Sequence, residues 1–114
     1  MAKAVEFSKE VIQFSEKLKV NSKSFRLVEQ LESASTSIAM NIAEGKGRNS
    51  KKEFLQFLYY SRGSIFEVIT LLKILFELER ISDEEFERLR KKSIEISKML
   101  NGLIKYQRSL LKSG

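Results

Sequence analysis

The 114-residue chain is 42% hydrophobic and carries a net charge of +6, which suits one basic domain with one core. It has no cysteine, histidine or proline, so disulfides, thiolate or imidazole metal sites and the usual catalytic proton shuttle are excluded. No apolar run approaches twenty residues, and the charged N-terminus lacks the pattern of a signal peptide. We therefore expect a cytoplasmic, non-enzymatic protein with no cofactor, no metal and no membrane contact.

Four apolar seams with alternating steps of three and four residues predict four α-helices. The first seam is Ala4, Phe7, Val11, Phe14 and Leu18. The predicted helices span 3–19, 22–44, 51–79 and 83–112. Short connections make consecutive helices antiparallel, so the fold class is all-α, an antiparallel up-down-up-down four-helix bundle in which 1–114 form a single domain.

Turn and capping residues separate these segments. Candidate N-caps precede three of the helices: Asn21 or Ser22, Ser50 with Glu53, and Ser82 with Glu85. Ile81 and Phe86 supply a hydrophobic staple for the fourth helix. Gly45 follows the last apolar residue of the second helix and is predicted to end that helix in a left-handed conformation.

The third helix has more apolar surface than one face of a bundle needs. Beside its main seam runs a second one, interrupted by Arg62: Leu58, Ile65, Ile69, Leu72 and Phe76. A helix that is apolar on two faces is either centrally buried or used between subunits, and the second reading predicts a homo-oligomer interface formed by these six residues. Gly63, costly inside a helix, predicts a close helix–helix approach.

Positive charge collects in two segments. Residues 46–62 hold five bases against Glu53 alone, and residues 96–114 hold four bases and no acid. In an antiparallel bundle these segments lie at the same end, which predicts a nucleic-acid-binding surface made of Lys46, Arg48, Lys51, Lys52, Lys98, Lys105, Arg108 and Lys112. Tyr59, Tyr60 and Tyr106 could stack on unpaired bases. The opposite end collects acids from Glu77 to Glu87.

The stretch NIAEGKGRNSKKEF (41–54) joins the second and third helices. It lacks the P-loop pattern, so its glycines indicate a turn and not a nucleotide site. Lys51 and Lys52 stand at a helix N-terminus, where the helix dipole disfavours cations. Two interpretations remain open: the corner binds phosphate, or it is a plain solvated corner.

The same residues carry a family resemblance. The segments SIAMNIAEGKGRNSKKEFLQFLYYSRGSIFEV (37–68) and MLNGLIKYQ (99–107) resemble the bacterial four-helix-bundle proteins encoded in intervening sequences of 23S rRNA genes, and the related accessory variability proteins of diversity-generating retroelements. Many of these relatives have a proline before NIAEG and a base near position 33, where this chain has Met40 and Ser33.

The resemblance implies a four-helix bundle that assembles into a homopentamer. It also implies nucleic-acid binding, RNA before DNA, possible contact with a reverse transcriptase or another protein, and no catalytic residues. The leading hypothesis is thus a non-enzymatic, homo-oligomeric nucleic-acid-binding or scaffold protein. The alternative is a protein-interaction scaffold whose ring binds an acidic protein partner without nucleic acid.

Overall fold

A computed structural model describes residues 1–19 and 24–113 as an elongated all-α bundle of 53 × 21 × 19 Å. Its helices in chain order are α1 (Ala2–Lys19), α2 (Phe25–Lys46), α3 (Lys51–Glu77) and α4 (Asp83–Ser113). The four-helix-bundle class is confirmed, and the observed bounds differ from the predicted ones by three residues or fewer. Ser24 stands at the N-cap of α2. The N-caps predicted at Asn21 or Ser22 lie outside the described residues.

The core is built from the predicted 3–4 seams. In α1, Ala4, Phe7, Val11 and Phe14 are all less than 5% exposed. α3 packs against α2 on one side and α4 on the other, whereas the backbones of α1 and α4 approach each other closely at few positions. Since α1 has 18 residues and α4 has 31, α1 cannot cover the whole length of its neighbours. The α2–α3–α4 layer therefore supplies most of the core.

Ion pairs bridge α1 and α4, whose backbones lie farther apart than those of the other neighbouring helices. Lys3 pairs with Glu95, and Glu10 receives both Lys92 and Arg88. The hydrogen bond from Lys3, with its charge, holds the pKa of Glu95 below the usual carboxyl value. That pairing is present above the carboxyl's ordinary pKa and is lost as the pH falls through the lowered one, so acid weakens the α1–α4 contact.

Serines let α2 and α3 approach closely. The Ser61 hydroxyl donates to the Ile38 carbonyl across the interface at 2.9 Å, and the Ser37 and Ser64 hydroxyls lie 2.8 Å apart. These short side chains satisfy their own hydrogen bonds while keeping the two backbones near each other. Ser37 of α2 and Ser61 and Ser64 of α3 are therefore used for packing between these helices.

Of the two predicted capping boxes, the one at the start of α4 is complete, and the one at the start of α3 shows only its Ser50 half. The Glu53 amide donates to the Ser50 hydroxyl at 3.0 Å. At α4 the exchange is reciprocal: the Glu85 amide donates to the Ser82 hydroxyl, and the Ser82 amide donates to the Glu85 carboxylate. Each cap satisfies amides that the first helical turn leaves unpaired.

The left-handed residue predicted at Gly45 is wrong. α2 continues through Gly45 to Lys46, and no described glycine has a positive φ. Gly45 is instead needed for space, because a Cβ there would lie 2.7 Å from Phe54 Cδ1 and 2.9 Å from Phe57 Cβ. The one left-handed residue of the described chain is Glu79, at φ 59°, where the Arg80 amide bonds back to the Leu75 carbonyl and closes α3.

The second apolar seam of α3 lies inside the bundle, which corrects the subunit interface predicted there. Leu58, Ile65 and Leu72 are 0% exposed, and Ile69 packs partly buried against the same core. Phe76 stacks on Phe86 of α4 with ring centroids 4.3 Å apart. α3 needs two seams because it is covered by α2 and by α4, so Leu58, Ile65 and Leu72 are unavailable to another subunit.

Gly63 makes no close helix–helix approach within the chain. A Cβ added there would meet nothing within 4 Å, and the residue is exposed on the outer side of α3. The packing reason that the sequence suggested is therefore wrong for contacts inside one chain.

Candidate nucleic-acid interface

The α2–α3 corner is a tight, exposed turn. The Gly47 amide donates to the carbonyls of Ala43 and Glu44 at 3.2 and 3.1 Å, and the Arg48 amide donates to that of Gly45 at 3.1 Å. Every residue from 46 to 53 is exposed. The backbone bonds fix the turn without the cationic side chains, which leaves those side chains in solvent.

The four bases of this corner are not equivalent. The Arg48 guanidinium lies 3.4 Å from the Glu44 carboxylate and 4.9 Å from the centre of the Phe57 ring, so it folds back on its own helices. Within the described ranges, no carboxylate forms an ion pair with Lys46, Lys51 or Lys52. The three lysines are therefore the part of the corner that is open to an anion.

The end of α4 lies at the same end of the bundle, because α4 runs antiparallel to α3 and Arg62 of α3 meets Asn101 of α4. Beyond that contact, the two helices form a groove of about 440 Å³ lined by Arg62, Asn101, Ile104, Lys105, Arg108, Ser109 and Lys112. Four of the seven lining residues are cationic and none is acidic. The structure thus gathers three of the predicted α4 bases and adds one from α3.

Arg62 belongs to this groove and not to the subunit interface predicted for it. Its guanidinium stacks over the Tyr59 ring at 5.0 Å and donates to the Asn101 side chain at 3.4 Å. The sequence pattern missed this because position 62 falls within the second apolar seam. Counting equal numbers of residues outward from the α3–α4 turn would have set Arg62 opposite Lys98, within one helical turn of Asn101.

We call the eight predicted bases, with Arg62, the basic pole. Away from it, five described cations pair with acids, among them Lys73 with Glu77 at 2.9 Å and Arg90 with Glu87 at 3.7 Å. Among the described residues of the pole, only Arg48 has such a partner. Lys98 is exposed one turn before Asn101 and extends the pole along α4. Among the described residues, eight of the nine cations of the pole lack an acidic partner, against five of the ten outside it, so unpaired positive charge is densest at this end.

The tyrosines take different places. Tyr59 lies half-buried beneath Arg62, Tyr60 is 52% exposed elsewhere on α3, and Tyr106 is 58% exposed near the end of α4. The structure does not bring the three together as one stacking surface.

Two classes of site are absent from the part of the chain that the structure describes. It contains no group of three or more His, Cys, Asp or Glu side chains that could hold a metal ion. None of its helices combines the length and the apolar character needed to cross a bilayer. Of the carboxylates nearest the corner, Glu44 pairs with Arg48, and Glu53 lies in the first turn of α3.

Comparison with known proteins identifies the family. The sequence model described as "23S rRNA-intervening sequence protein" matches residues 1–102, which is most of the chain. The chain belongs to this family. The match includes the α2–α3 corner and Arg62, but Lys105, Arg108 and Lys112 lie beyond its end.

A solved relative in this family's fold supports the assignment. It is a crystal structure of a protein with unknown function from the S23 ribosomal protein family of Bacteroides thetaiotaomicron VPI-5482. The two chains superpose with a TM-score of 0.88 at 29% identity, over 91% of this chain and 93% of that one. No curated protein matches. The family and the fold are thus established, and a relation to the accessory variability proteins stays a prediction.

Proposed function

We propose that the protein is a non-enzymatic, homo-oligomeric nucleic-acid-binding protein that contacts phosphates through its basic pole. The observation that carries the proposal is the cluster of cations without acidic partners at one end, including Lys51 and Lys52. Cations at a helix N-terminus oppose the helix dipole, so the fold itself gives no reason to place them there. A bound phosphate would supply that reason.

RNA is the nucleic acid that we favour. The physical argument from phosphate charge applies equally to RNA and DNA, since both present the same backbone anion. The preference rests on the family's description, which refers to 23S rRNA.

Binding to single- and double-stranded RNA and DNA should weaken linearly on a log–log plot of affinity against salt. The double variant Lys51→Gln/Lys52→Gln should reduce that slope by about 1.4 to 1.8, because each lost phosphate contact removes roughly 0.7 to 0.9. Fluorescence anisotropy at several salt concentrations measures both the affinity and the slope.

The control is Lys73→Gln/Arg90→Gln, which removes the same charge from bases that pair with acids away from the pole. If both double variants lost the same affinity and salt slope, the weaker binding would be due to net charge and not to the basic pole. Absence of salt-dependent binding by the wild-type protein at low ionic strength would contradict the proposed function itself.

The alternative is a scaffold whose basic pole binds an acidic protein. Its support is the same unpaired charge, which attracts an acidic surface as well as a phosphate chain. Capture of partners with and without nuclease treatment separates the two: loss of all partners on nuclease treatment supports nucleic-acid binding, and retention of a protein supports the alternative.

Self-association has a new candidate surface, the Gly63 face, which we define as the exposed α3 residues Gln56, Tyr60, Gly63, Glu67, Thr70 and Ile74. Gly63 costs roughly 1 kcal/mol relative to alanine inside a helix, and nothing in its own chain fills the space above it. A second copy whose backbone approaches at Gly63 would account for it, with exposed Tyr60 and Ile74 as apolar neighbours.

Light scattering should give a mass about five times the 13.2 kDa of one chain, the number implied by the resemblance. Gly63→Leu should lower that mass because it fills the approach. Gly102→Leu is the matched control, since Gly102 is also helical, exposed and without neighbours within 4 Å of an added Cβ. A monomeric wild type, or equal masses for both variants and the wild type, would contradict the Gly63 face as the interface.

A further inference from the structure

The groove between α3 and α4 has features that the basic pole as a whole does not require. Its four cations come from both helices, and Arg62 is already held in place by Tyr59 and Asn101 before any ligand arrives. From Asn101 to Lys112 the groove runs about 16 Å along α4, at 1.5 Å per residue. It is thus an elongated, open cationic groove in which one of the four cations, Arg62, is held in place by its neighbours.

A regular lysine row leads into this groove. Lys91, Lys98, Lys105 and Lys112 recur every seven residues on the exposed surface of α4. Seven residues are almost two helical turns, so the row drifts by only about 20° per step and spans roughly 31 Å. Its last two members line the groove. A charged chain that follows the row would therefore enter the groove.

An exposed aromatic ring lies one helical turn beyond the Arg62 end of the groove. Phe66 is 55% exposed, and it stands four residues after Arg62, one helical turn along the same side of α3. A phenylalanine left in solvent one turn beyond a cationic groove is a surface on which a planar, uncharged group can stack. The combination of a positive groove and an exposed aromatic ring is the one used to hold unpaired nucleic-acid strands.

We propose that the α3–α4 groove binds an unpaired strand of nucleic acid, with Arg62, Lys105, Arg108 and Lys112 contacting its phosphates and Phe66 stacking on a base. This inference rests on the proposed function and specifies its ligand. A single strand fits because its backbone can enter a groove between two helices while its bases remain free to stack. A duplex buries the faces of its bases against one another, so Phe66 would have none to contact.

Two sets of variants test the groove by fluorescence anisotropy with a 5′-labelled 20-nucleotide single-stranded RNA and its duplex form. Arg62→Gln should weaken single-strand binding and lower the salt slope by about 0.7, whereas Arg90→Gln, an equal charge loss at a base paired with Glu87, should change neither. Phe66→Leu should weaken single-strand binding about fivefold or more, and Phe66→Tyr should keep it, because only the tyrosine keeps a ring.

Each outcome decides something. The groove is supported if Arg62→Gln and Phe66→Leu weaken RNA binding while Arg90→Gln and Phe66→Tyr do not. The wild type must also bind the single strand more tightly than the duplex. Equal effects of Arg62→Gln and Arg90→Gln, or of the two Phe66 variants, overturn it, as does tighter duplex binding that ignores Phe66. If the wild type binds but only Lys51 and Lys52 matter, the groove is wrong and the proposed function stands. A wild type that binds no nucleic acid removes both.

Discussion

Replacing Ile65 with aspartate is expected to unfold the chain rather than to separate subunits. Ile65 is 0% exposed and belongs to the core that α3 shares with its neighbours. Truncating a buried isoleucine costs about 2 to 5 kcal/mol, and a buried carboxylate without a partner adds several more. The sum is comparable to the roughly 5 to 15 kcal/mol that stabilises a typical domain.

Circular dichroism should therefore show no cooperative thermal transition for Ile65→Asp. Ile74→Asp is the control on the same helix, because Ile74 is 39% exposed and its carboxylate would reach water. That variant should stay folded, whatever it does to assembly. If Ile65→Asp instead kept its helical signal and its melt while light scattering showed a lower mass, the second seam would be an interface after all.

The error about the second seam shows what periodicity leaves open. The spacing of Leu58, Ile65 and Leu72 correctly placed these residues on one side of a helix. It could not say what covers that side, since the answer depends on how far the neighbouring helices extend. α3 is covered by α2 on one side and by α4 on the other, so both of its apolar seams face the core.

The starts of α3 and α4 were predicted to the residue, whereas the start of α2 was missed by three residues. The caps at Ser50 and Ser82 are local, because each bond joins residues three apart in the chain. The structural role of Gly45 could not be predicted from its neighbours in the sequence. A glycine near the end of a helix serves equally to reverse the chain or to admit a neighbour, and only the positions of Phe54 and Phe57 on the next helix decide between them.

The candidate site was predicted in part for the same reason. Charge counting, together with antiparallel topology, was enough to bring the corner and the end of α4 to one end of the bundle. The inclusion of Arg62 depended on the register of α3 against α4, which the charge pattern does not contain. The exposure of Phe66 likewise follows from the rotation of α3 between its two neighbours.

Replacing Gly45 with alanine is expected to destabilise the bundle, although alanine is the better helix former. The added Cβ would lie 2.9 Å from Phe57 Cβ, an atom fixed to the backbone of α3, and 2.7 Å from the Phe54 ring. The ring can move aside but the Cβ cannot, so α2 and α3 must separate. Overpacking of this kind costs about 1 to 3 kcal/mol and outweighs a propensity gain of roughly 1 kcal/mol at most sites.

Thermal melts should show the melting temperature of Gly45→Ala falling by roughly 5 to 10 °C, and that of Gly45→Val falling further because valine adds two more carbons at the same contact. Gly102→Ala isolates the propensity effect, since Gly102 is helical and its added Cβ meets nothing within 4 Å. Its melting temperature should rise by a few degrees. If the melting temperature of Gly45→Ala rose by the same amount, α2 and α3 would have room for the added Cβ. The Ser61–Ile38 and Ser37–Ser64 hydrogen bonds would then not fix the spacing of these two helices. A fall confined to Gly45 would show that the corner carrying Lys46, Lys51 and Lys52 is held in position by backbone packing directly beneath it.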